Sequence, residues 1–205
     1  MNMTKGNKSD PYQIWHFDYY PKFNFKLTHT KQFIYKKQFP REEYIFVKDL
    51  ICRMKDQLFV YGTLMKGIPS RMSDYLQQHA LFVGAAYANG HLYDLGQYPG
   101  FVYDRGCDRL VKGHVFQLKS PKQVFPILDR YEGIEESNNS ENEYLRTLID
   151  VRLNKKEVQV WTYLFNRLPK NLPLIPEGDY LIFYPTNQRH LAFIQGGRSD
   201  LKMSI

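Results

Sequence analysis

Cysteine is almost missing from this chain of 205 residues: there are two, Cys52 and Cys107. Neither has a Cys or His at metal-ligand spacing, which excludes a disulfide framework and a thiolate zinc site. Two lone thiols fit a reducing cytosol, so a cytoplasmic protein is expected. No HExxH, CxxC or GxSxG motif occurs, and the six histidines (His16, His29, His79, His91, His114, His190) share no ligand spacing. A lone histidine such as His114, on a half-apolar strand, reads as a satisfied core residue. No apolar run approaches the ~18 residues of a membrane span. The opening "MNMTKGNKSDPY" lacks the apolar core and small-residue cleavage site of a secretory signal. Without a metal, triad or reactive thiol, catalysis in this chain has to rest on positioning, main-chain donors and a carboxylate.

What is present suits one ordinary domain. The composition is globular, with 43% hydrophobic and 24% charged residues. The net charge of +7 is uneven, with 11 Lys and Arg against 6 Asp and Glu in residues 1–56, and 17 against 15 in the rest. The basicity therefore belongs to a leader. Its segment "YYPKFNFKLTHTKQFIYKKQF" interleaves basic and aromatic residues without a period of 2 or 3.6. Such a mixture suits a single-strand nucleic-acid platform, but no RNP-like or OB-like pattern accompanies it. Residues 1–53 are expected to be a poorly ordered basic, aromatic-rich extension, and nucleic acid is not an expected partner. Met54 makes a natural start for a compact domain over 54–184, and for translation, with a polar, frayed tail over 185–205.

From Leu58 onward the pattern is orderly. Leu58–Tyr61 reads as a short buried strand. "IPSRMSDYLQQHA" reads as a helix capped by Ser70, with Met72, Tyr75, Leu76 and His79 on one side. "LFVGAAYANGHLYDLG" reads as two strands joined at Asn89-Gly90, and "QYPGF" as a turn. "FVYDRGCDRLVKGHVFQL" reads as another strand pair, broken at Gly106. A second helix follows in "SPKQVFPILDRYEG", with Ser120 as cap, Pro121 first and Gly133 as stop. Val124, Ile127, Leu128 and Tyr131 share its apolar face, and Pro126 predicts a kink or a later start. After the acidic loop "EESNNSENE", two alternating segments around "NKK" form a hairpin. A Pro-rich connection leads to a last short strand. The class is α+β, with a sheet that curls or closes to hide its edges.

Two features offer chemistry. The first is the turn Tyr61-Gly62-Thr63-Leu64. It lacks the Gly-Lys-Ser/Thr of a phosphate loop, but a glycine lets a ligand press on the main chain, and successive N–H groups form an anion nest. A plain turn is the bland alternative. The second is Glu132, in the last turn of the second helix, where the helix dipole opposes ionisation. Burial there would raise its pKa, as a general base near neutral pH requires. Spacing alone favours a solvated glutamate with Asp129, Glu135 and Glu136 as idle neighbours.

The segments "LFVYGTLMKG", "GHLYDLGQYPGFV", "VKGHVFQL", "ILDRYEGI", "EYLRTLIDV", "VWTYLF" and "IPEGDY" occur in an order that resembles the gamma-glutamylcyclotransferase-like family, chiefly its gamma-glutamylamine cyclotransferase branch and bacterial relatives. The resemblance runs from about Leu58 to Tyr184. It implies a small mixed β-barrel flanked by a few helices, with a pocket at the Tyr61–Leu64 loop and no cofactor. It implies that Glu132 is the acid/base and that Tyr144 and Tyr163 face the pocket. The implied substrate is a small γ-glutamyl amide, cleaved by its own α-amine into 5-oxoproline and a free amine. On this view the N–H groups of Gly62, Thr63 and Leu64 grip substrate oxygens, and Tyr61 walls the pocket. The acidic insert over 135–143 departs from tighter family loops, so the pocket mouth is expected to differ. Two other readings stand beside this one: a non-catalytic small-anion binding module of the same fold, and a nucleic-acid-associated protein acting through the leader.

Overall fold

The computed structural model describes residues 56–135 and 141–199, with side chains through 196, and the backbone of residues 3–5, 13–17 and 24–27. The chain divides into two units, Met1–Cys52 and Arg53–Ile205. In the first, β1 (Met3–Lys5), β2 (Gln13–Phe17) and β3 (Asn24–Leu27) form an antiparallel three-stranded sheet in sequence order. The leader's side chains, on which the nucleic-acid reading depends, lie outside the described residues.

The second unit runs β4 (Gln57–Val60), α1 (Arg71–His79), β5 (Ala80–Asp94), β6 (Pro99–Tyr103), β7 (Leu110–Leu118), α2 (Pro121–Tyr131), β8 (Tyr144–Leu153), β9 (Lys156–Phe165), α3 (Tyr180–Phe183) and α4 (Gln188–Ser199). Its sheet has the order β6-β5-β7-β4-β9-β8, and β5 also pairs with β8. That last pairing, Ala86 with Leu153 and Tyr87 with Arg152, closes five strands into a barrel and leaves β6 as an added sixth. Closure removes the unpaired edges that an open sheet would present. Strands β4 and β9 are parallel and the other barrel pairs antiparallel. The fold is therefore α+β, a small mixed barrel flanked by helices. Leu58, Phe59, Phe101, Val115, Phe116 and Val160 are fully buried in its core. Each such side chain contributes on the order of 1.5–3 kcal/mol.

Several local expectations are corrected. Asn89-Gly90 is not a hairpin turn, because β5 runs straight through it. At Gly90 the strand changes partner, pairing with β7 up to Asn89 and with β6 from Gly90. Gly90 has φ +139°, and a Cβ there would lie 2.2 Å from the Val102 carbonyl oxygen, so only glycine fits the handover. Asn89 instead spends its side chain on the next turn, donating from Nδ2 to the Cys107 carbonyl at 2.6 Å. Strands β6 and β7, expected as a pair, flank β5 on opposite sides. The turn expected in "QYPGF" ends at Tyr98, whose carbonyl accepts from Leu95 N–H at 3.1 Å. Pro99 and Gly100 already belong to β6, proline being tolerated as a first strand residue.

Helix α2 continues through Pro126 rather than starting after it. Ile127 and Tyr131, expected on its apolar face, are exposed, while Val124 and Leu128 are buried. Ser120 makes no side-chain cap. The hairpin around "NKK" turns at Asn154 and Lys155, with φ 49° and 63°, the positive pair of a two-residue hairpin loop.

The last strand is absent. In its place come a 3₁₀ turn (Pro176–Gly178) and α3, which starts there because Asp179 accepts from the N–H groups of Leu181 (3.1 Å) and Ile182 (3.4 Å). Beyond Pro185 the chain forms α4, which buries His190 and Ile194. Tyr180 and Asp94 bracket His190, at 2.9 Å from Nδ1 and 2.8 Å from Nε2. His114 is not the satisfied core residue expected: its Nδ1 is buried without a partner. Burial first, then the Lys66 charge, lowers its pKa.

Candidate functional site

Strand β4 ends at Val60, and the turn after it is braced from both sides. Met65 N–H donates to the Gly62 carbonyl at 2.9 Å. Helix α1 then reaches back with two serines. Ser70 Oγ donates to the Thr63 carbonyl (2.7 Å) and accepts from Ser73 N–H (3.0 Å), and Ser73 Oγ donates to the Met65 carbonyl (2.7 Å). Ser70 is therefore both helix cap and loop clamp. Among the described residues, the N–H groups of Gly62, Thr63 and Leu64 have no backbone carbonyl as partner. The turn presents free donors on a held frame.

Gly62 serves a different purpose from the one expected. A Cβ there would meet not open pocket but the Pro99 ring, at 2.8 Å from Cγ. The missing side chain lets β6 start against the turn.

The carboxylate comes from the end of helix α2. Helix α2 closes with Ile134 N–H on the Asp129 carbonyl (2.8 Å) and Gly133 N–H on the Arg130 carbonyl (3.2 Å). With Gly133 at φ +68°, this is a Schellman end, and it fixes Glu132 as the C-cap. A cavity of about 320 Å³ joins these parts, lined by Tyr61, Gly62, Thr63, Leu64, Glu132, Tyr144 and Tyr163 among others. Every residue singled out in the sequence is thus on its wall.

Five tyrosines surround Glu132, and each hydroxyl is committed elsewhere. Tyr61 donates to the Tyr163 carbonyl (2.6 Å), Tyr144 to the Pro99 carbonyl (2.9 Å), Tyr163 to Asp129 (2.9 Å) and Tyr98 to Glu143 (2.8 Å). Tyr131 shares a hydrogen bond with Thr63 Oγ1 at 3.1 Å. Among the described residues none hydrogen-bonds to the Glu132 carboxyl. Glu132 is half-buried, open towards the cavity. Its pKa is pushed up to about 8, by burial first, then by the charges of Glu143 and Asp129. The same burial raises the phenols of Tyr144 and Tyr163 and pushes Tyr98 and Tyr131 up to about 12. All five stay neutral near pH 7, so they act as walls and dipoles, not as bases.

Sequence reasoning passed over several lining residues: Tyr98, Pro99, Tyr131, Glu143 and Phe193. Tyr98 and Pro99 lay in a motif read only as a turn. Asp129, set down as an idle neighbour, holds Tyr163 and accepts two bonds from Arg146 Nη1 at 2.8 and 3.1 Å. Among the described residues, no group of three or more His, Cys, Asp or Glu side chains is placed to hold a metal. None of the described helices is long and apolar enough to cross a membrane.

A model of the gamma-glutamyl cyclotransferase, AIG2-like family matches residues 58–182. The chain belongs to that family. Membership supports a cyclotransferase-type function. Among solved structures the chain is similar to the AIG2-like protein from Mus musculus (23% identity over 61% of this chain and 87% of that one, TM-score 0.48). It is similar to the ytfP protein from Escherichia coli (28% identity, 61% and 96%, TM-score 0.42). It also matches YkqA from Bacillus subtilis (21% identity, TM-score 0.46), covering 61% of this chain but only 39% of that one. No curated protein matches.

Proposed function

We propose that the pocket cyclises a γ-glutamyl amide, releasing 5-oxoproline and a free amine. The observation that carries this reading is the Glu132 carboxyl, which is held by the helix end, has no hydrogen-bond partner among the described residues, and is raised to about 8. A carboxyl kept in that state has nothing to stabilise inside the protein. It suits a ligand that brings a proton and takes it back.

The chemistry needs little more. The α-amine of the substrate attacks its own γ-carbonyl carbon; the new C–N bond closes the lactam as the amide C–N bond opens. The α-ammonium gives up one proton before attack and the new lactam nitrogen a second; Glu132 takes each in turn and passes it to the departing nitrogen, which leaves as an ammonium, so the carboxylate is regenerated. Holding nucleophile and carbonyl in attack geometry is worth up to ~7–11 kcal/mol, which is why no serine or cysteine is required. The free N–H groups of Gly62, Thr63 and Leu64 are the donors for a substrate oxygen, and one such donor at a developing oxyanion is worth ~2.7–4 kcal/mol. A cavity of about 320 Å³ has the size for an amino-acid derivative.

The test is direct: incubate the chain with a panel of γ-glutamyl amines and assay free 5-oxoproline. Release of 5-oxoproline with equimolar amine is expected. Saturable binding with no release would leave the fold as a small-anion binding module instead.

A further inference from the structure

Among the described residues, Glu143 is the one charged residue of the pocket wall that the cyclisation leaves unused. The lining contains, among the described residues, two carboxylates, Glu132 and Glu143, and no lysine, arginine or histidine. Glu143 is also firmly placed. Its carbonyl accepts from Asn166 N–H at 2.8 Å, and its Oε2 accepts from the Tyr98 hydroxyl at 2.8 Å. The ring of Tyr98 packs on Phe193 (centroids 5.2 Å apart) and Tyr144 (6.4 Å).

The residue before it is fixed as tightly. Asn142 is buried and spans the neck of the acidic loop, accepting from Glu135 N–H (3.1 Å) and donating to the Glu135 carbonyl (3.0 Å). Asn166 Nδ2 donates to the Asn142 carbonyl at 3.0 Å. Among the described residues none of the ion pairs includes Glu143. Arg167 carries the nearby positive charge, felt by Tyr98, but it is exposed and screened by salt. Glu135, exposed at the loop neck, adds to the negative field.

We propose that Glu143 makes the pocket selective for γ-glutamyl amides whose leaving amine carries a second positive charge, as a diamine does. The inference rests on the cyclisation reading and deepens it. The glutamyl half of the substrate has one carboxylate and one ammonium, and the turn N–H groups and Glu132 already answer both. Glu143 is left to meet the other half. A cationic amine pairs with it. A neutral alkyl chain desolvates the carboxylate and returns nothing, and an anionic, peptide-like amine meets like charge.

Three γ-glutamyl amides of matched length decide it, made from 1,4-diaminobutane, pentylamine and 4-aminobutanoate. With the full chain, kcat/KM for the diamine should exceed that for pentylamine by about tenfold and that for the aminobutanoate by about a hundredfold. In Glu143→Gln the diamine-to-pentylamine ratio should fall to within about twofold. Comparing ratios within one variant cancels the effect of Glu143 on the Glu132 carboxyl. An equal loss on all three substrates, with the ratios preserved, would assign Glu143 to the glutamyl half and overturn the proposal. Calorimetric binding of the same compounds to Glu132→Gln, with and without Glu143→Gln, separates this inference from the reaction. A diamine preference that vanishes with Glu143 supports it even where no 5-oxoproline forms. No preference overturns it even where turnover is found.

Discussion

Asp129 and Glu132 lie one helical turn apart at the end of α2, and the barrel treats them in opposite ways. Asp129 faces an outer groove with Phe125 and Arg146. There it accepts from Tyr163 Oη and from the Arg146 guanidinium, which lies 4.2 Å over the Phe125 ring and 5.5 Å from that of Trp161. Glu132 faces the inner pocket with Glu143 and five committed tyrosines. One acid has its partners built in; the other is denied them. The difference separates an acid that holds structure from one kept for chemistry. Tyr163 links the two, its ring on the pocket wall and its hydroxyl on Asp129.

The comparison breaks most sharply at Glu132. Glu132→Gln keeps shape and removes the proton acceptor. Turnover should fall by about 10²–10⁴-fold while ligand binding persists. Full 5-oxoproline release in that variant would make Glu132 as structural as Asp129. In the unsubstituted protein, kcat/KM should rise with pH towards about 8 as Glu132 ionises, then level off.

On the other side, Arg146→Met should act on the fold. It strands Asp129 beside Tyr163 and removes charge-assisted bonds worth ~1.5–3 kcal/mol, to be read from the urea midpoint. The effect on turnover, passing only through Tyr163, should be smaller than that of Glu132→Gln.

Gly62→Val sharpens the site from the turn side. The added Cβ presses on a proline ring that has no rotamer to escape into, so a loss of ~1–3 kcal/mol by overpacking is expected in urea. Substrate affinity should drop as well, since the turn and Pro99 would have to part. An unchanged urea midpoint would mean the turn shifts without cost.

Much of this was legible in the sequence, for stated physical reasons. The apolar run of β4, the capping Ser70, the helix stop at Gly133 and the tight turn at Asn154-Lys155 are local signals, and local forces decide them. The partner switch at Gly90 was not legible, because an Asn-Gly step serves a hairpin or a close strand approach equally well, and only the position of Val102 decides. Asp179 as a cap was hidden by the prolines before it. On α1, Leu76 is buried as expected, but His79 is exposed and Ser73 was passed over, and the tail that forms α4 was expected to fray, because Ser73 and His190 are polar and are satisfied only by tertiary partners, the Met65 carbonyl for one and Asp94 and Tyr180 for the other. At the site, Glu132 and the turn were singled out by the family resemblance, since spacing alone favoured a solvated glutamate and a plain turn. Glu143 could not be, since nothing local says that Asn142 closes the loop and turns its neighbour inward.

The smallest effect concerns the stability that the unpartnered acid gives up. The pKa of Glu132 is near 4.5 when unfolded and about 8 when folded. Between those values the folded state holds more protons, so stability from this group falls as pH rises through the window and levels off above about 8. Glutamine does not titrate. Glu132→Gln should therefore gain stability relative to the unsubstituted protein as pH rises from 4.5 to about 8, seen as a widening gap in Tm. Asp129→Asn should instead lose stability, because it breaks the ion pair with Arg146 and weakens the hydrogen bond from Tyr163. If both variants gained alike, the two acids would be equally strained, and the distinction between a structural and a chemical carboxyl at the end of α2 would collapse.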